Sequence, residues 1–238
     1  MTQDTPDTPE TPDAHGAPVP HSLLGKTVLI TGAARRVGAT IARTLHTADA
    51  GRVECDLLET DRLPALIEAA AAEFGGLDIL VNNASTFYPT PIGDVTEMDW
   101  DDLIGTNLKA PLFLAQAAAS RLHEAHGLIL NLADIHGMKP LRRYPVYSIA
   151  KAGLIMLTRS LARELGPQVR VNAIAPGPVM WPEDGVDHAL QEKITQRTAL
   201  KRAGSAEDVA RACLFFATEA PYVTGQVLAV DGGRSIGW

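Results

Sequence analysis

Thr27-Val28-Leu29-Ile30-Thr31-Gly32-Ala33-Ala34-Arg35-Arg36-Val37-Gly38 joins an apolar β run to a helical pattern through a loop of small residues. The run Thr27–Ile30 reads as a buried strand, and Val37–Thr47 carries helical spacing. Between them Gly32 permits a tight turn, small Ala33 and Ala34 let backbone approach a ligand, and Gly38 lets the helix pack on a sheet. The start of that helix would offer free N–H groups and a positive dipole end to a pyrophosphate. Arg35 and Arg36 favour the same use. An ordinary strand–helix turn can look alike, so this loop needs support from the rest of the chain.

Outward from the loop, short β runs alternate with helical stretches. Arg52–Cys55 is a short strand, Asp61–Phe74 an Ala-rich helix, and Leu77–Val81 a buried strand ending in Asn82-Asn83. Thr96 with Asp99 forms a capping-box signal. It opens a helical region running to about Ala125, with a break expected near Gly105. Leu128–Leu132 is a strand, Tyr147–Leu165 a helix, and Val169–Ile174 a strand stopped by Pro176-Gly177-Pro178. Ser205–Asp208 repeats the capping signal before the helix Val209–Ala217. Val227–Val230 is the last strand, before Asp231-Gly232-Gly233. Such alternation predicts an α/β fold: a parallel sheet covered on both faces, with ligands beyond the carboxyl ends of its strands.

Composition narrows the class. The 238 residues carry 46% apolar and 21% charged side chains, ordinary for a globular chain. The formal charge is −7, and four acids (Asp4, Asp7, Glu10, Asp13) lie in the first 22 residues, which hold no Lys or Arg. With DTPDTPETPD at its heart, 1–22 is expected to be a disordered tail, and 23–238 a single domain. Arg and Lys are scattered, so no basic block invites nucleic acid or an anionic membrane. Cys55 and Cys213 make neither a disulfide framework nor a zinc spacing, which suits a reducing cytoplasm. No apolar run approaches membrane-spanning length, and the histidines show no ligand spacing, so no metal is expected.

Tyr147-Ser148-Ile149-Ala150-Lys151 places a phenol and an ammonium one above the other on a helical face. The ammonium is expected to favour the phenolate and lower the Tyr147 pKa toward the range of a general acid. Asp134, thirteen residues upstream of Tyr147, follows the strand Leu128–Leu132 and would face the same helix. Asn107 would hold Lys151 through a bridging water.

The ordered set Thr31-Gly32…Gly38, Asn82-Asn83-Ala84, Asn107, Tyr147…Lys151 and Pro176-Gly177 resembles the short-chain dehydrogenase/reductase family over nearly everything from Leu24 to Trp238. The resemblance implies a single-domain, doubly wound Rossmann-type fold and a nicotinamide-dependent oxidoreductase. In it Tyr147 would donate a proton, Lys151 would bind the nicotinamide ribose and tune Tyr147, and Asn107 would anchor a proton-relay water. Gly32, Arg35, Arg36, Val37 and Gly38 would hold the cofactor phosphates. Asp56 and Leu57 would lie against adenine, and Asn83, Ala84, Pro176 and Gly177 would line the remainder.

Three features resemble the pteridine reductases within that family. Arg36 stands where the family loop has a third glycine, Asp134 where it has a serine, and Asn-Asn-Ala is followed by Ser85-Thr86-Phe87-Tyr88-Pro89. By that resemblance Phe87 would stack on a pterin, Arg36 would touch cofactor phosphate and the pterin edge, and Ser85 would hydrogen-bond either. Tyr144 would line the pocket, and Asp134 would work with Tyr147 to protonate a ring nitrogen as hydride reaches carbon. Met180 and Trp181 read either as part of a substrate lid or as plain core cover.

The chain departs from the family in one place. Gly38 and Asp56 are 18 residues apart, where the family fits a further strand and helix. If Arg52–Cys55 is the second strand, Asp56 would bind a ribose hydroxyl and NAD is implied. If it is the third, which family order favours, the second strand and its helix are absent. NADPH then carries over from the resemblance, with Arg35, Arg36 or Arg52 meeting its 2′-phosphate and NADH as the alternative. The expected activity is NADPH-dependent reduction of dihydrobiopterin- or dihydrofolate-like pterins. The alternatives are a general carbonyl reductase, or a binding protein that keeps the fold with weak catalysis. Apolar surface on the helices around Glu97–Ala125 and Tyr147–Leu165, together with the resemblance, implies a homotetramer built by pairing those helices.

Overall fold

The computed structural model describes residues 23–46, 55–181 and 187–237. Five parallel strands form one sheet: β1 (Val28–Ile30), β2 (Ile79–Asn82), β3 (Leu128–Leu132), β4 (Arg170–Pro176) and β5 (Val227–Val230), side by side in chain order. Crossovers between parallel neighbours need helices, which cover both faces. The period-two alternation of the strands sorts the core. Ile79, Val81, Leu128, Leu130 and Leu132 face α1 (Arg36–Leu45) and α7 (Ala206–Thr218), where Ile41, Val209 and Phe216 are buried. Leu80, Ile129 and Val171 face α2 (Leu63–Phe74) and α4 (Ala110–Glu124), against Ile67, Leu114 and Leu122. The long helix α5 (Pro145–Leu165) joins this second face through Ile155, which packs with Ala173 and Ala175. The expected α/β parallel sheet with helices on both faces is present.

Among the described residues β1 is a margin of the sheet, paired to β2 alone. Of the strand expected at Arg52–Cys55, residues 52–54 lie outside the described residues, as does the 1–22 segment. Cys55 is described and belongs to no strand.

Both capping boxes form. Thr96 Oγ1 accepts the Asp99 N–H at 3.1 Å, while Asp99 takes the Thr96 N–H at 2.9 Å, and α3 (Glu97–Ile104) starts there. Ser205 and Asp208 repeat the exchange at α7. The break expected near Gly105 is replaced by something gentler: Gly105–Lys109 is a π turn, with the Ala110 N–H reaching back to the Gly105 carbonyl, and the helix continues into α4. Gly105 is there for closeness, since a Cβ on it would come within 2.5 Å of Leu58. A short helix, α6 (His188–Thr195), was not expected. Asp187 caps it by accepting the Ala189 N–H, but the helix buries no residue, so it has no apolar stripe to reveal it.

A buried polar ladder ties the sheet to α5. Asn82 Nδ2 donates to Asn131 Oδ1 at 2.8 Å, Asn131 Nδ2 to Thr158 Oγ1 at 2.9 Å, and Thr158 Oγ1 to the Leu154 carbonyl at 2.8 Å. Asn131 and Thr158 are fully buried. Asn131→Leu strands the Asn82 amide, an unmet buried donor worth about 1–3 kcal/mol. Urea unfolding is expected to show a loss in that range; a loss below about 0.5 kcal/mol, the size of an ordinary surface change, would remove the ladder from the stabilising contacts.

Candidate active site

All five strands run the same way, so their carboxyl ends share one edge, and the sequence motifs gather there. At β1, Thr31 Oγ1 accepts the N–H groups of Asn83 and Ala84, each at 3.0 Å. Asn83 Nδ2 returns hydrogen bonds to the Thr31 carbonyl at 2.9 Å and the Gly32 carbonyl at 3.2 Å. The loop is thus fastened to the end of β2. Gly38 is essential to the closure: a Cβ there would sit 2.3 Å from the Gly32 oxygen and 2.5 Å from Asn83 Nδ2. Gly32 adopts φ +64° and faces Ala84. The N-terminus of α1 has no side-chain cap and no acid in its first turn, which leaves its donors for an external anion.

Arg36 takes φ +57°, a left-handed conformation that favours glycine. Its guanidinium donates to the Trp181 carbonyl at 3.2 Å, joining the phosphate loop to the segment after β4. Arg35 is exposed, and Val37 packs on the core beneath α1. At the end of β4, the Gly177 N–H binds the Val230 carbonyl, and a Cβ on Gly177 would come within 2.6 Å of Asp231. Asp231 in turn holds the Gly233 and Ser235 N–H groups. Met180 is 39% exposed. Asp56 is exposed and accepts the Leu58 N–H at 3.0 Å, while Leu57 packs beneath α2 and α4. Neither is bonded to the loop around Gly32.

At β3 and α5 the structure brings Asp134, Tyr147 and Lys151 together. Tyr147 Oη donates to Asp134 Oδ2 at 2.9 Å, and Asp134 Oδ1 accepts the His136 N–H at 2.7 Å. The fully buried Lys151 ammonium donates to the Leu132 carbonyl at 2.8 Å and lies 5.6 Å from the centre of the Tyr147 ring. The expected lowering of the Tyr147 pKa is reversed. Burial first, then the Asp134 charge and hydrogen bond, push the phenol well above its ordinary value. Burial also brings Lys151 down to about 8, the nearby Asp134 charge opposing it. Desolvation outweighs the attraction between neighbours, because each ionised form would be held in a dry interior.

Asn107 also departs from expectation. Its Nδ2 donates to the Thr86 and Leu103 carbonyls, each at 3.0 Å, and its Oδ1 accepts Ser85 Oγ at 2.6 Å. The side chain is committed to the loop carrying Ser85 and Phe87 and makes no direct bond to Lys151. Its main-chain carbonyl is different: the residue four positions on is Pro111, which has no N–H to close an α-helical bond. Phe87 stacks on Tyr144 with ring centres 4.6 Å apart and 12° between planes, and meets Tyr147 edge-on at 4.8 Å.

One holder of this loop escaped the sequence reading. Tyr88 Oη donates to Asp102 Oδ2 at 2.9 Å, and burial with this bond raises its pKa to about 12. No local pattern signals a contact fourteen residues long between a loop and the outer side of α3. Among the described residues no group of three or more His, Cys, Asp or Glu could hold a metal, and no helix is long and apolar enough to cross a membrane.

The Lys151 shift has a consequence for stability. The unfolded side chain keeps its proton to about 10.5 and the folded one only to about 8, so above pH 8 the unfolded chain binds more protons and stability rises with pH. Above about 9 the buried thiol of Cys213 stays protonated in the fold while ionising in the unfolded chain, which cancels the gain, and above about 10 the Tyr147 and Tyr88 phenols do the same and reverse the trend. Chemical unfolding at pH 7.5, 9 and 11 is expected to show this rise and fall. The Lys151→Met variant should lose the rise; a wild type that is flat across pH 8–9 would contradict it.

The chain matches the family described as enoyl-(acyl carrier protein) reductase over residues 23–235. It is 34% identical to pteridine reductase 1 of Leishmania tarentolae, covering 87% of this chain and 96% of that protein. It is 32% identical to the 3-oxoacyl-[acyl-carrier-protein] reductase FabG of Staphylococcus aureus (strain Mu50), covering 87% and 97%. That alignment spans 239 positions against about 207 of this chain's 238 residues, so about 32 positions of the relative have no counterpart here. The shortfall agrees with the short interval between Gly38 and Asp56. Among solved structures, a 7α-hydroxysteroid dehydrogenase complexed with NADH and 7-oxo glycochenodeoxycholic acid superposes with a TM-score of 0.84 at 30% identity, covering 90% of this chain and 95% of that one. The phosphate loop, the Tyr147–Lys151 helix and these likenesses agree: the chain belongs to the short-chain dehydrogenase/reductase family, the nicotinamide-dependent oxidoreductases.

Proposed function

We propose that the protein reduces a C=N bond of a dihydropterin with NADPH, using Tyr147 and Asp134 to supply the proton. The observation that carries this reading is the 2.9 Å hydrogen bond between Tyr147 and Asp134, beside the mutually stacked rings of Phe87 and Tyr144. Hydride addition to an imine carbon leaves a nitrogen that needs a proton, and an acid–phenol pair can deliver one. A serine in the Asp134 position would only polarise an oxygen. A flat heterocycle suits a site bordered by stacked rings.

The residues present fit a nicotinamide dinucleotide. The close contact of Gly38 with Gly32 and Asn83 shapes a backbone cradle, and the uncapped α1 N-terminus supplies donors for the phosphates. Arg35 and Arg36 would add charge there and favour NADPH, with Arg36 also reaching the pterin edge. The bound cofactor would supply the hydride. Lys151 would hold its ribose and steady the charge on Tyr147 as the proton leaves. Asn107 would offer its main-chain carbonyl to a water, while its side chain holds Ser85 against the substrate. Asn83, Ala84, Pro176 and Gly177 would line the nicotinamide side, and Asp56 with Leu57 the adenine side. The exposed Leu112, Ile149 and Met156 on α4 and α5 support assembly into a homotetramer.

A second reading, reduction of a ketone or 3-oxoacyl thioester, is favoured by the comparable likeness to FabG. Oxidation of NADPH, and in parallel NADH, is to be followed with dihydrobiopterin and with acetoacetyl thioester. Tyr147→Phe is expected to lower turnover about 10²–10⁴-fold. Asp134→Ser should abolish pterin reduction. Turnover of the thioester alone, unaffected by Asp134→Ser, would establish the second reading.

Activity should also follow the Lys151 proton. Its ammonium persists below pH about 8, while Tyr147 stays a phenol throughout that range. The rate is therefore expected to fall above pH 8 with the slope of one proton. Lys151→Arg, which keeps its charge, should move the fall to higher pH; an unmoved limb would assign it to another group.

A further inference from the structure

Between Asp134 and Glu164 the chain contains no acidic residue, although the whole carries a net charge of −7. The loop leading into α5 holds Arg142 and Arg143, both exposed. Neither guanidinium has an ion-pair or hydrogen-bond partner among the described residues, whereas Arg121, Arg202 and Arg62 each have a carboxylate. The pair directly adjoins the stacked Phe87 and Tyr144 rings. Tyr144 follows Arg143, and the Arg143 carbonyl accepts the Thr90 N–H at 2.7 Å, which pins this loop to the one carrying Phe87. Arg143 also takes φ +72°. A long side chain held in a conformation that favours glycine is a strained choice, of the kind that collects at functional sites.

We infer that Arg142 and Arg143 form an anion-binding subsite beside the stacked Phe87 and Tyr144 rings, which recognises a carboxylate or phosphate carried on the substrate's tail beyond the reduced ring. The inference rests on the placement of the substrate beside Phe87 and Tyr144 proposed above. A planar guanidinium pairs with either anion through two parallel N–H donors. At an exposed rim such a contact acts mainly on capture, and salt weakens it. It would favour anionic substrates over neutral ones of the same ring without altering the proton delivery at Tyr147.

The test compares dihydrofolate, whose tail bears two carboxylates, with dihydrobiopterin, whose tail is neutral. For the wild type, kcat/KM with dihydrofolate should fall as salt rises, and that with dihydrobiopterin should not. In the variant Arg142→Gln/Arg143→Asn, which keeps a residue tolerant of positive φ at 143, KM for dihydrofolate should rise about 10-fold with kcat unchanged, matching the loss of one charge-assisted contact. Dihydrobiopterin kinetics should be unaltered. Equal effects on both substrates, or none on either, would overturn the subsite.

Should neither pterin be reduced, the pterin reading fails by itself, and the same variant is compared on acetoacetyl-coenzyme A and the neutral acetoacetyl-N-acetylcysteamine. A selective loss with the phosphate-bearing thioester upholds the subsite and identifies phosphate as its anion. Equal response to the two thioesters overturns it. An effect confined to a thioester borne on an acyl carrier protein overturns it in favour of protein docking.

Discussion

A buried ammonium sets the geometry of this protein. Lys151 loses its water on folding, and the Leu132 carbonyl at the end of β3 accepts a hydrogen bond from its ammonium. That one contact fixes the register of α5 along β3. One helical turn before Lys151 stands Tyr147; two residues beyond Leu132 stands Asp134. Once the lysine and the carbonyl meet, the phenol and the carboxylate meet as well, at 2.9 Å. Gly137 permits the arrangement, because a Cβ there would fall 2.7 Å from the Lys151 backbone. The ladder through Asn131 and Thr158 repeats the fastening further along the helix.

Around that contact, asparagines do the work of holding loops. Asn83 bonds the backbone of the phosphate loop, and Asn107 bonds the loop bearing Ser85, Thr86 and Phe87. An amide carries both donors and acceptors, so one side chain can satisfy main-chain groups from two segments that no strand pairs. Polar residues here position backbone. The arrangement then follows from loops converging at the carboxyl edge of a parallel sheet, and the Gly32–Gly38 loop and the hydrogen-bonded Tyr147 and Asp134 lie at that edge for the same reason.

Electrostatics within the site is governed by dryness more than by neighbouring charge. From the spacing alone, an ammonium four residues from a phenol should draw out the phenolate. In the fold both groups are buried, each neutral form is favoured, and Asp134 reinforces the protonated phenol. The resting site therefore holds a proton ready on Tyr147 with a carboxylate bonded to it.

The helices and strands were legible because their patterns are local. The apolar runs of β2 and β3, the capping boxes at Thr96 and Ser205, and the Tyr147–Lys151 spacing can each be read within a few residues. They point to the α/β class and to the family. The π turn at Gly105, the capture of Asn107 by Thr86, the Tyr88–Asp102 bond and the Arg36–Trp181 contact depend on segments far apart in the chain. α6 escaped because it buries nothing. Sequence by itself determined which groups could react, since residue identity sets their chemistry and spacing sets which of them share a helical face. Tertiary structure alone decided which of them are dry, which are bonded, and hence which proton each one keeps, because desolvation and long-range contacts exist only after the chain has closed on itself.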